Sequence, residues 1–260
     1  MALLEVRGLT KKFRGLTAVE DLSCDVEEGK IISIIGPNGA GKTTVFNMLT
    51  GYYKVTSGKI TFEGRDITNK PIETIFKAGI SRTFQNLRLF PHMRVIENVM
   101  IGNHIHTRYS LLDLLFRTQK FRRTEKETTQ NAIKVLKSIG LENEISSYAG
   151  NLPYGVQRKL EIARALVSGA KLVLMDEPAA GMNAAETDEL LQFIQRQNQK
   201  GYTILLIEHD MNIVMNISDW IFVLDYGKLI ASGSPEDIAK NPAVIEAYLG
   251  RAMDEEEDDE

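Results

Sequence analysis

A glycine-rich segment between an apolar run and a helical pattern constrains the fold of this chain more than any other feature. It reads Gly36-Pro37-Asn38-Gly39-Ala40-Gly41-Lys42-Thr43. The preceding run, Ile31–Ile35, is almost wholly apolar, as is typical of a strand buried on both faces. In the following residues, Thr44–Thr50, apolar side chains recur at helical spacing. A strand that turns sharply into a helix in this way predicts an α/β fold with a parallel sheet.

The remaining apolar runs extend this prediction to a whole domain. Three runs are predicted to be further buried strands: Lys171–Met175, Tyr202–Ile207 and Trp220–Leu224. Three others alternate in polarity and predict a smaller antiparallel sheet: Leu3–Leu9, Ala18–Val26 and Ile60–Phe62. The strand signal is absent between about residues 86 and 156, which predicts a helical subdomain. We therefore expect one domain over residues 1–250, with its core in 1–85 and 157–250 and the helical subdomain inserted between them.

The glycine-rich segment also predicts a phosphate site. Glycines let the backbone curl until successive N–H groups point inward, and the helix N-terminus adds its positive dipole end. The segment has the P-loop pattern, in which Lys42 reaches the β- and γ-phosphates and the Thr43 hydroxyl ligates Mg²⁺. We expect residues 36–44 to bind a nucleotide: Gly36, Pro37, Asn38, Gly39, Ala40, Gly41, Lys42, Thr43 and Thr44. The alternative, a glycine turn without a ligand, fits the strand–loop–helix context poorly.

Two adjacent carboxylates supply the second part of the predicted site. Asp176 and Glu177 end the apolar run that begins at Lys171. A buried strand would deliver Asp176 to the Mg²⁺ ion beside the P-loop, and Glu177 would polarise the attacking water. Capping of the next helix is the alternative function of such a pair.

The charge distribution restricts the range of partners. The net charge is −4, but the last seven residues, Asp254–Glu260, are all acidic, so the remainder carries +3. Such a block predicts a disordered tail over residues 251–260, and a nearly neutral body argues against a nucleic-acid surface. A single cysteine, Cys24, and the lack of a signal-peptide pattern or an eighteen-residue apolar run predict a cytoplasmic chain.

Four further motifs decide between the classes of nucleotide-binding protein. They are Thr83-Phe84-Gln85, Leu152-Pro153-Tyr154-Gly155-Val156-Gln157, Ala180-Gly181-Met182-Asn183 and Ile207-Glu208-His209-Asp210. In this order, the motifs closely resemble those of the ATP-binding subunits of ABC transporters, over residues 3 to about 250. The resemblance implies an α/β P-loop NTPase fold with a RecA-like parallel core, a small antiparallel β subdomain and an inserted helical subdomain.

The resemblance also implies roles for individual residues. Gln85 would contact Mg²⁺ and the attacking water and report to the membrane partner. His209 would contact the γ-phosphate, and Phe13 would stack on adenine. The segment Leu152, Pro153, Tyr154 and Gly155 would belong to the signature motif, which each subunit of a head-to-tail dimer presents to the nucleotide of the other.

The signature motif departs from the usual Leu-Ser-Gly-Gly-Gln. Pro153 replaces the serine, Tyr154 the first glycine and Val156 the glutamine, while Asn183 replaces the usual aspartate of the following loop. The nucleotide of the partner would lose these contacts. The hypothesis is a heterodimer with two unequal sites, although a homodimer remains an alternative.

A narrower resemblance concerns the substrate. The segments Arg82–Pro91 and Asn241–Gly250 are similar to those of subunits that serve branched-chain amino-acid uptake. This resemblance implies a sister ATPase, two transmembrane permease subunits and an extracytoplasmic binding protein as partners, and a place on the cytoplasmic face of the membrane. The alternatives are an ABC transporter for another substrate and, with less support, a soluble ABC ATPase or a P-loop kinase.

An amphipathic stretch within the predicted helical subdomain has two interpretations. Five apolar residues, Leu111, Leu112, Leu114, Leu115 and Phe116, precede five basic ones, Arg117, Lys120, Arg122, Arg123 and Lys126. The stretch could contact anionic lipid or a partner. Internal packing of the apolar residues beside a solvated basic turn is the interpretation that the sequence favours.

Overall fold

The computed structural model describes residues 2–104 and 109–248, with the side chain of Leu111 left out. The predicted acidic tail, residues 251–260, and the last two residues of the segment Asn241–Gly250 lie outside the described residues. The chain divides into two compact units, the first comprising Met1–Arg82, Lys171–Glu177 and Ile194–Glu260, the second Thr83–Ala170 and Pro178–Phe193. The helical unit of the structure thus extends beyond residues 86–156, and the predicted subdomain boundaries remain a prediction.

The secondary structure alternates strands and helices through most of the chain. The strands are β1 (Ala2–Phe13), β2 (Leu16–Glu27), β3 (Ile31–Ile35), β4 (Ser57–Phe62), β5 (Arg65–Asp66), β6 (Ile80–Arg82), β7 (Leu172–Asp176), β8 (Thr203–Ile207), β9 (Trp220–Asp225) and β10 (Lys228–Gly233). The helices are α1 (Lys42–Leu49), α2 (Ile72–Ala78), α3 (Val95–Gly102), α4 (Leu111–Leu115), α5 (Gln119–Ser138), α6 (Tyr154–Leu166), α7 (Ala184–Gln199), α8 (Met211–Ile217) and α9 (Pro235–Ala239). Residues 242–248 are also helical.

The larger sheet of the first unit is the predicted parallel core. Its strand order is β10-β9-β3-β8-β7-β6, and every pairing is parallel except that of β9 with β10. All residues of β3, β7 and β8 are buried, which explains their continuous apolar sequences. The sequence analysis did not predict β10, because most of its residues are only partly buried and give no clear apolar run.

The smaller sheet confirms the predicted antiparallel strands, in the order β2-β1-β4-β5. Both β1 and β2 are longer than predicted, since each continues through partly exposed residues as far as the turn at Arg14. The apolar residues of both sheets and of α1 form one core, in which Val45 and Phe46 are completely buried.

Among its described residues, the second unit contains helices and loops and none of the ten strands named above. A separate core lies between α3, α5 and α6 and includes Val99, Leu136 and Leu160. Among residues 2–104 and 109–248, no helix combines the length and apolar character that spanning a bilayer demands.

Candidate active site

The glycine loop leaves the carboxyl end of β3 and enters α1, as predicted, although α1 begins at Lys42 rather than Thr44. Gly36 and Gly41 have φ values of 149° and 100°, a backbone conformation that residues with a side chain rarely adopt. A Cβ atom at Gly36 would collide with the Leu224 carbonyl, and one at Gly41 would lie 2.6 Å from the carbonyl oxygen of Ala18. Glycine is therefore required here by conformation and by space.

Lys42 lies within this loop. Its ammonium group donates to the carbonyls of Gly36 and Pro37, at 2.6 and 3.0 Å, and the residue is buried. The loop thus holds a positive charge at its centre, beside the first N–H groups of α1, which lack partners within the helix. The next residue, Thr43, is exposed and carries a hydroxyl group. Asn38 and Gly39 are exposed at the tip of the glycine loop. These features favour an anion such as a phosphate group.

Asp176 is the last residue of β7 and is held by an arginine that the sequence analysis did not identify. Arg82, at the end of β6, donates to Asp176 Oδ2 at 2.6 Å and to Asn47 Oδ1 of α1 at 2.6 Å. Both partners of the ion pair are nearly buried. Because Asn47 is four residues from Thr43, the bridge sets Asp176 beside the face of α1 that carries Thr43.

Glu177 and His209 follow the neighbouring strands β7 and β8. Glu177 has a φ of 45°, uncommon for a residue with a side chain, and its N–H donates to the carbonyl of Ile207 at 2.9 Å. His209 Nδ1 lies 3.9 Å from Glu177 Oε1 and 4.0 Å from Oε2 of the buried Glu208. The structure therefore brings Glu177 and His209 together at the carboxyl ends of the parallel strands, where ligands bind in such sheets.

Phe13 is the last residue of β1 and packs against a tyrosine. Its ring packs edge-on against Tyr53 with the centroids 5.2 Å apart, and Lys11 Nζ lies 4.7 Å from its centroid. The N–H of Tyr53 donates to the Asn47 carbonyl of α1, which links this cluster to the helix that follows the glycine loop. Phe13 is 36% exposed, so part of its ring is accessible to a stacking partner.

The donors near the glycine loop fit a small hard cation. Carboxylate and hydroxyl oxygens, such as those of Asp176 and Thr43, are the ligands that Mg²⁺ prefers. In the described part of the chain, no group of three His, Cys, Asp or Glu residues could hold a metal. A magnesium ion bound to these two oxygens would complete its coordination with phosphate oxygens and water, as it does in most nucleotide sites.

Gln85 belongs to the second unit, and its main chain is held by a buried arginine of α6. Arg158 is completely buried and donates to the carbonyls of Phe84 and Gln85, both at 2.8 Å. The same guanidinium pairs with Glu161 at 3.0 Å. Arg164 also donates to the Arg88 carbonyl, so α6 binds the Gln85 segment at several points.

The predicted signature segment forms the start of α6. Leu152 is buried, Pro153 is the N-cap residue and Tyr154 begins the helix. The hydroxyl of Tyr154 donates to the Ala180 carbonyl at 3.1 Å and accepts from Arg158 at 3.3 Å. Gly155 has no atom nearer than 3.9 Å to the position of a Cβ. Tyr154 thus connects the signature segment with both the Gln85 segment and the loop that contains Ala180.

Sequence reasoning missed Arg82, Arg158 and Glu161. Arg82 directly precedes the motif Thr83-Phe84-Gln85, and Arg158 and Glu161 lie in the apolar pattern of α6. A charged residue at a position that the helical period assigns to the core is a signal that could have revealed the buried pair.

The comparisons with known proteins agree with this geometry. The family described as "ABC transporter" matches residues 19–180, and a second, "Branched-chain amino acid ATP-binding cassette transporter", matches residues 228–254. The high-affinity branched-chain amino acid transport ATP-binding protein LivG of Salmonella typhimurium is 49% identical, over 96% of this chain and 98% of LivG. Its counterpart BraF of Pseudomonas aeruginosa is 47% identical over the same shares.

A solved structure of an ATP-binding cassette of an ABC transporter in its ADP conformation superposes with a TM-score of 0.85. That chain is 35% identical, and the match covers 96% of this chain and 99% of the other. The fold is therefore the P-loop fold of ABC ATPases. This chain belongs to the ABC transporter family, as one of its ATP-binding cassettes and an ATPase.

Proposed function

We propose that this chain is the ATP-hydrolysing subunit of an importer for branched-chain amino acids, and that it works at the cytoplasmic face of the membrane. The observation that carries the proposal is the grouping of three segments at the carboxyl ends of adjacent parallel strands. These are the glycine loop after β3, Asp176 and Glu177 at the end of β7, and His209 after β8.

Each residue has a role that follows from its surroundings. Lys42 exchanges its carbonyl partners for phosphate oxygens, because a charged hydrogen bond to an anion is stronger than one to a neutral carbonyl. Glu177 accepts a proton from the attacking water, and His209 donates a hydrogen bond to the γ-phosphate. The exposed face of Phe13 stacks on the adenine ring.

Magnesium is part of the proposal. Thr43, Asp176 and Gln85 are the residues that would hold it, together with phosphate oxygens. The ion neutralises charge on the β- and γ-phosphates when it is bound. Arg82 then serves as a second cationic partner of Asp176 and fixes the direction of its carboxylate.

The proposed assembly is a heterodimer with a sister ATPase, attached to two transmembrane permease subunits, with an extracytoplasmic binding protein as an indirect partner. Pro153 offers no hydroxyl to a nucleotide, and the hydroxyl of Tyr154 is engaged with Ala180 and Arg158. This signature would therefore bind the partner's nucleotide weakly. The stronger site combines the glycine loop and Glu177 of this chain with the signature of the sister subunit.

The substrate is proposed from the relatives, since LivG and BraF are named for branched-chain amino acid transport. Around the Gln85 segment, Phe90 is 47% exposed, whereas Leu89 packs against the helical core. Phe90 is therefore the better candidate for contact with a permease subunit. Another ABC transporter substrate is the rival function.

Replacement of Glu177 by glutamine tests the ATPase mechanism. The Glu177→Gln variant should bind Mg-ATP with unchanged affinity but lose at least about a hundredfold in turnover, as expected when a general base is removed. Lys42→Ala should instead weaken binding, which calorimetry would measure. The matched control is Glu73→Gln, which removes an exposed carboxylate in the first turn of α2. Wild-type turnover by Glu177→Gln would contradict the assignment.

Reconstituted transport tests the substrate. Vesicles that contain this chain, its sister ATPase and the cognate membrane subunits should accumulate leucine when ATP is supplied to the side that holds the ATPases. Sugar and lipid serve as the comparison substrates. Uptake of one of these without leucine uptake would leave the ATPase mechanism intact and would refute the proposed substrate.

A further inference from the structure

The second unit presents an apolar ridge that the protein itself does not cover. Leu112, Leu114, Leu115 and Phe116, here called the α4 ridge, are 66, 46, 73 and 72% exposed. The favoured interpretation of the sequence, internal packing of this stretch, is therefore wrong for these four side chains. Leu112, Leu115 and Phe116 are three and four residues apart and so share one face of the helix. Soluble proteins rarely expose such a group of large apolar side chains without a function.

The ridge is held firmly by polar contacts on its other side. Asp113 accepts from the N–H of Ser110 at 2.9 Å and from the hydroxyl of Thr118 at 2.9 Å. These hydrogen bonds lower the pKa of Asp113, so its carboxylate stays charged and bonded. Thr118 in turn caps α5 by accepting from the N–H of Phe121. These hydrogen bonds connect α4 with the start of α5.

Basic side chains border the ridge. Arg117 directly follows Phe116, and Lys120 Nζ lies 4.0 Å from Asp113 Oδ2, which places it at the side of α4. Arg122, Arg123 and Lys126 follow on exposed positions of α5. Residues 109–126 contain five basic and two acidic side chains, a net charge of +3.

The acidic side chains near the ridge do not cancel this charge. Asp113 accepts hydrogen bonds from Ser110 and Thr118, and Glu125 accepts one from Tyr109 at 3.0 Å. Glu127 pairs with Arg123 at 2.9 Å, whereas Arg117, Lys120 and Arg122 occupy exposed positions within ten residues of Leu112.

From these observations we infer that the α4 ridge and its basic border dock directly on an anionic lipid surface. A short ridge of leucine and phenylalanine can enter the interface between headgroups and acyl chains, while arginine and lysine pair with lipid phosphates. An exposed apolar ridge with a net positive border suits a broad anionic surface. This contact is additional to attachment through permease subunits and does not depend on the transported substrate.

Vesicle binding of the full chain tests this inference. The wild-type protein should partition onto vesicles of phosphatidylcholine with phosphatidylglycerol, bind vesicles of phosphatidylcholine alone much less, and dissociate as salt is raised. The double variant Leu115→Gln and Phe116→Gln should bind the anionic vesicles roughly tenfold more weakly. Lys120→Gln with Arg122→Gln should reduce binding and flatten its salt dependence.

The matched control is Ile72→Gln with Trp220→Gln. These residues are 49 and 42% exposed and lie in the first unit, in α2 and at the start of β9. The control should bind vesicles as the wild type does. All variants should bind ATP normally, since no substituted residue belongs to the nucleotide site; failure of ATP binding in the wild type would count against the proposed function alone.

Several results would overturn the inference. They are a lack of vesicle binding by the wild type, equal binding to neutral vesicles, and equal binding by the ridge variant. If the ridge variant kept its vesicle binding but no longer co-purified with the membrane subunits, the ridge would be a protein-docking surface and the lipid assignment would be wrong.

Discussion

At the scale of single residues, Arg82 shows the limit of a sequence motif. Asp176 was predictable, because a carboxylate that ends an apolar strand stands out in the sequence. Its partner Arg82 is 94 residues away and carries no local signal, since only the pairing of β6 with β7 brings the two together. The motif therefore identified the functional group but not the contacts that orient it.

Replacement of Arg82 by methionine should destabilise the protein by about 3–5 kcal/mol, because it leaves the buried carboxylate of Asp176 without its cation. Urea denaturation of the nucleotide-free chain would measure this loss. Lys30→Met is the control, since the Lys30–Asp219 pair is half exposed and contributes little. Equal midpoints for the two variants would show that the Arg82 pair does not stabilise the fold.

Cys24 offers a second residue-level prediction. Burial raises the pKa of its thiol from 9.0 to about 12. A raised pKa favours the neutral thiol in the folded state, so this contribution to stability is present below pH 9 and lost as the pH rises towards 12.

At pH 8, iodoacetamide should modify the native chain far more slowly than the urea-unfolded chain. Because Cys24 is the only cysteine in the sequence, mass spectrometry gives an unambiguous reading; similar rates in both states would contradict its burial.

At the scale of elements, the sequence predicts the buried strands better than it predicts which side chains of a helix are buried. Runs such as Ile31–Ile35 and Tyr202–Ile207 are buried on both sides, and their composition alone identifies them. The α4 stretch was interpreted wrongly, because a periodic apolar pattern does not reveal whether another element covers it. Helix α6 shows the opposite case, in which charged residues are buried. Arg158 and Glu161 lie at core positions, and Arg158 holds the Gln85 segment through its charged hydrogen bonds.

Removal of the Arg158 side chain should loosen that segment. Arg158→Met leaves the carbonyls of Phe84 and Gln85 and the buried Glu161 carboxylate without their main donor. We expect a loss of about 3–5 kcal/mol in unfolding free energy and faster hydrogen exchange in α6. Arg123→Met, which breaks the exposed pair with Glu127, serves as the control and should change neither quantity. Unchanged hydrogen exchange in α6 of the Arg158→Met variant would show that Arg158 does not hold the Gln85 segment in place.

At the scale of the whole molecule, the proposed nucleotide site draws on segments that are distant in sequence. The strand order β9-β3-β8-β7-β6 brings the glycine loop, the carboxylates and His209 to one end of the sheet. The sequence analysis placed the two carboxylates beside the glycine loop from the buried strand that they end, and it added His209 only from the family resemblance. Local patterns alone identify each segment but do not give the order of the strands.

The irregular signature predicts how the isolated chain behaves. Purified alone, it should bind ATP through its own glycine loop but hydrolyse it slowly, because a homodimer would close each site with Pro153 and Tyr154. Addition of the sister ATPase should raise turnover by about tenfold or more, in line with the loss expected when phosphate contacts are missing. Measurement of phosphate release with and without the sister subunit would test this prediction. Vigorous turnover by the isolated chain would argue against two unequal sites.

The position of β3 in the sheet determines when the glycine loop can take shape during protein synthesis. Ile31 pairs with Ile204, and Ile32 pairs with Leu205 and Trp220, so both neighbours of β3 leave the ribosome long after the loop itself. A nascent chain that ends before residue 203 carries the glycine motif but has no neighbouring strands to fix its curvature. ATP can therefore stabilise this protein only in the last stage of folding, and until then the edges of β3 stay unpaired and open to association with other chains.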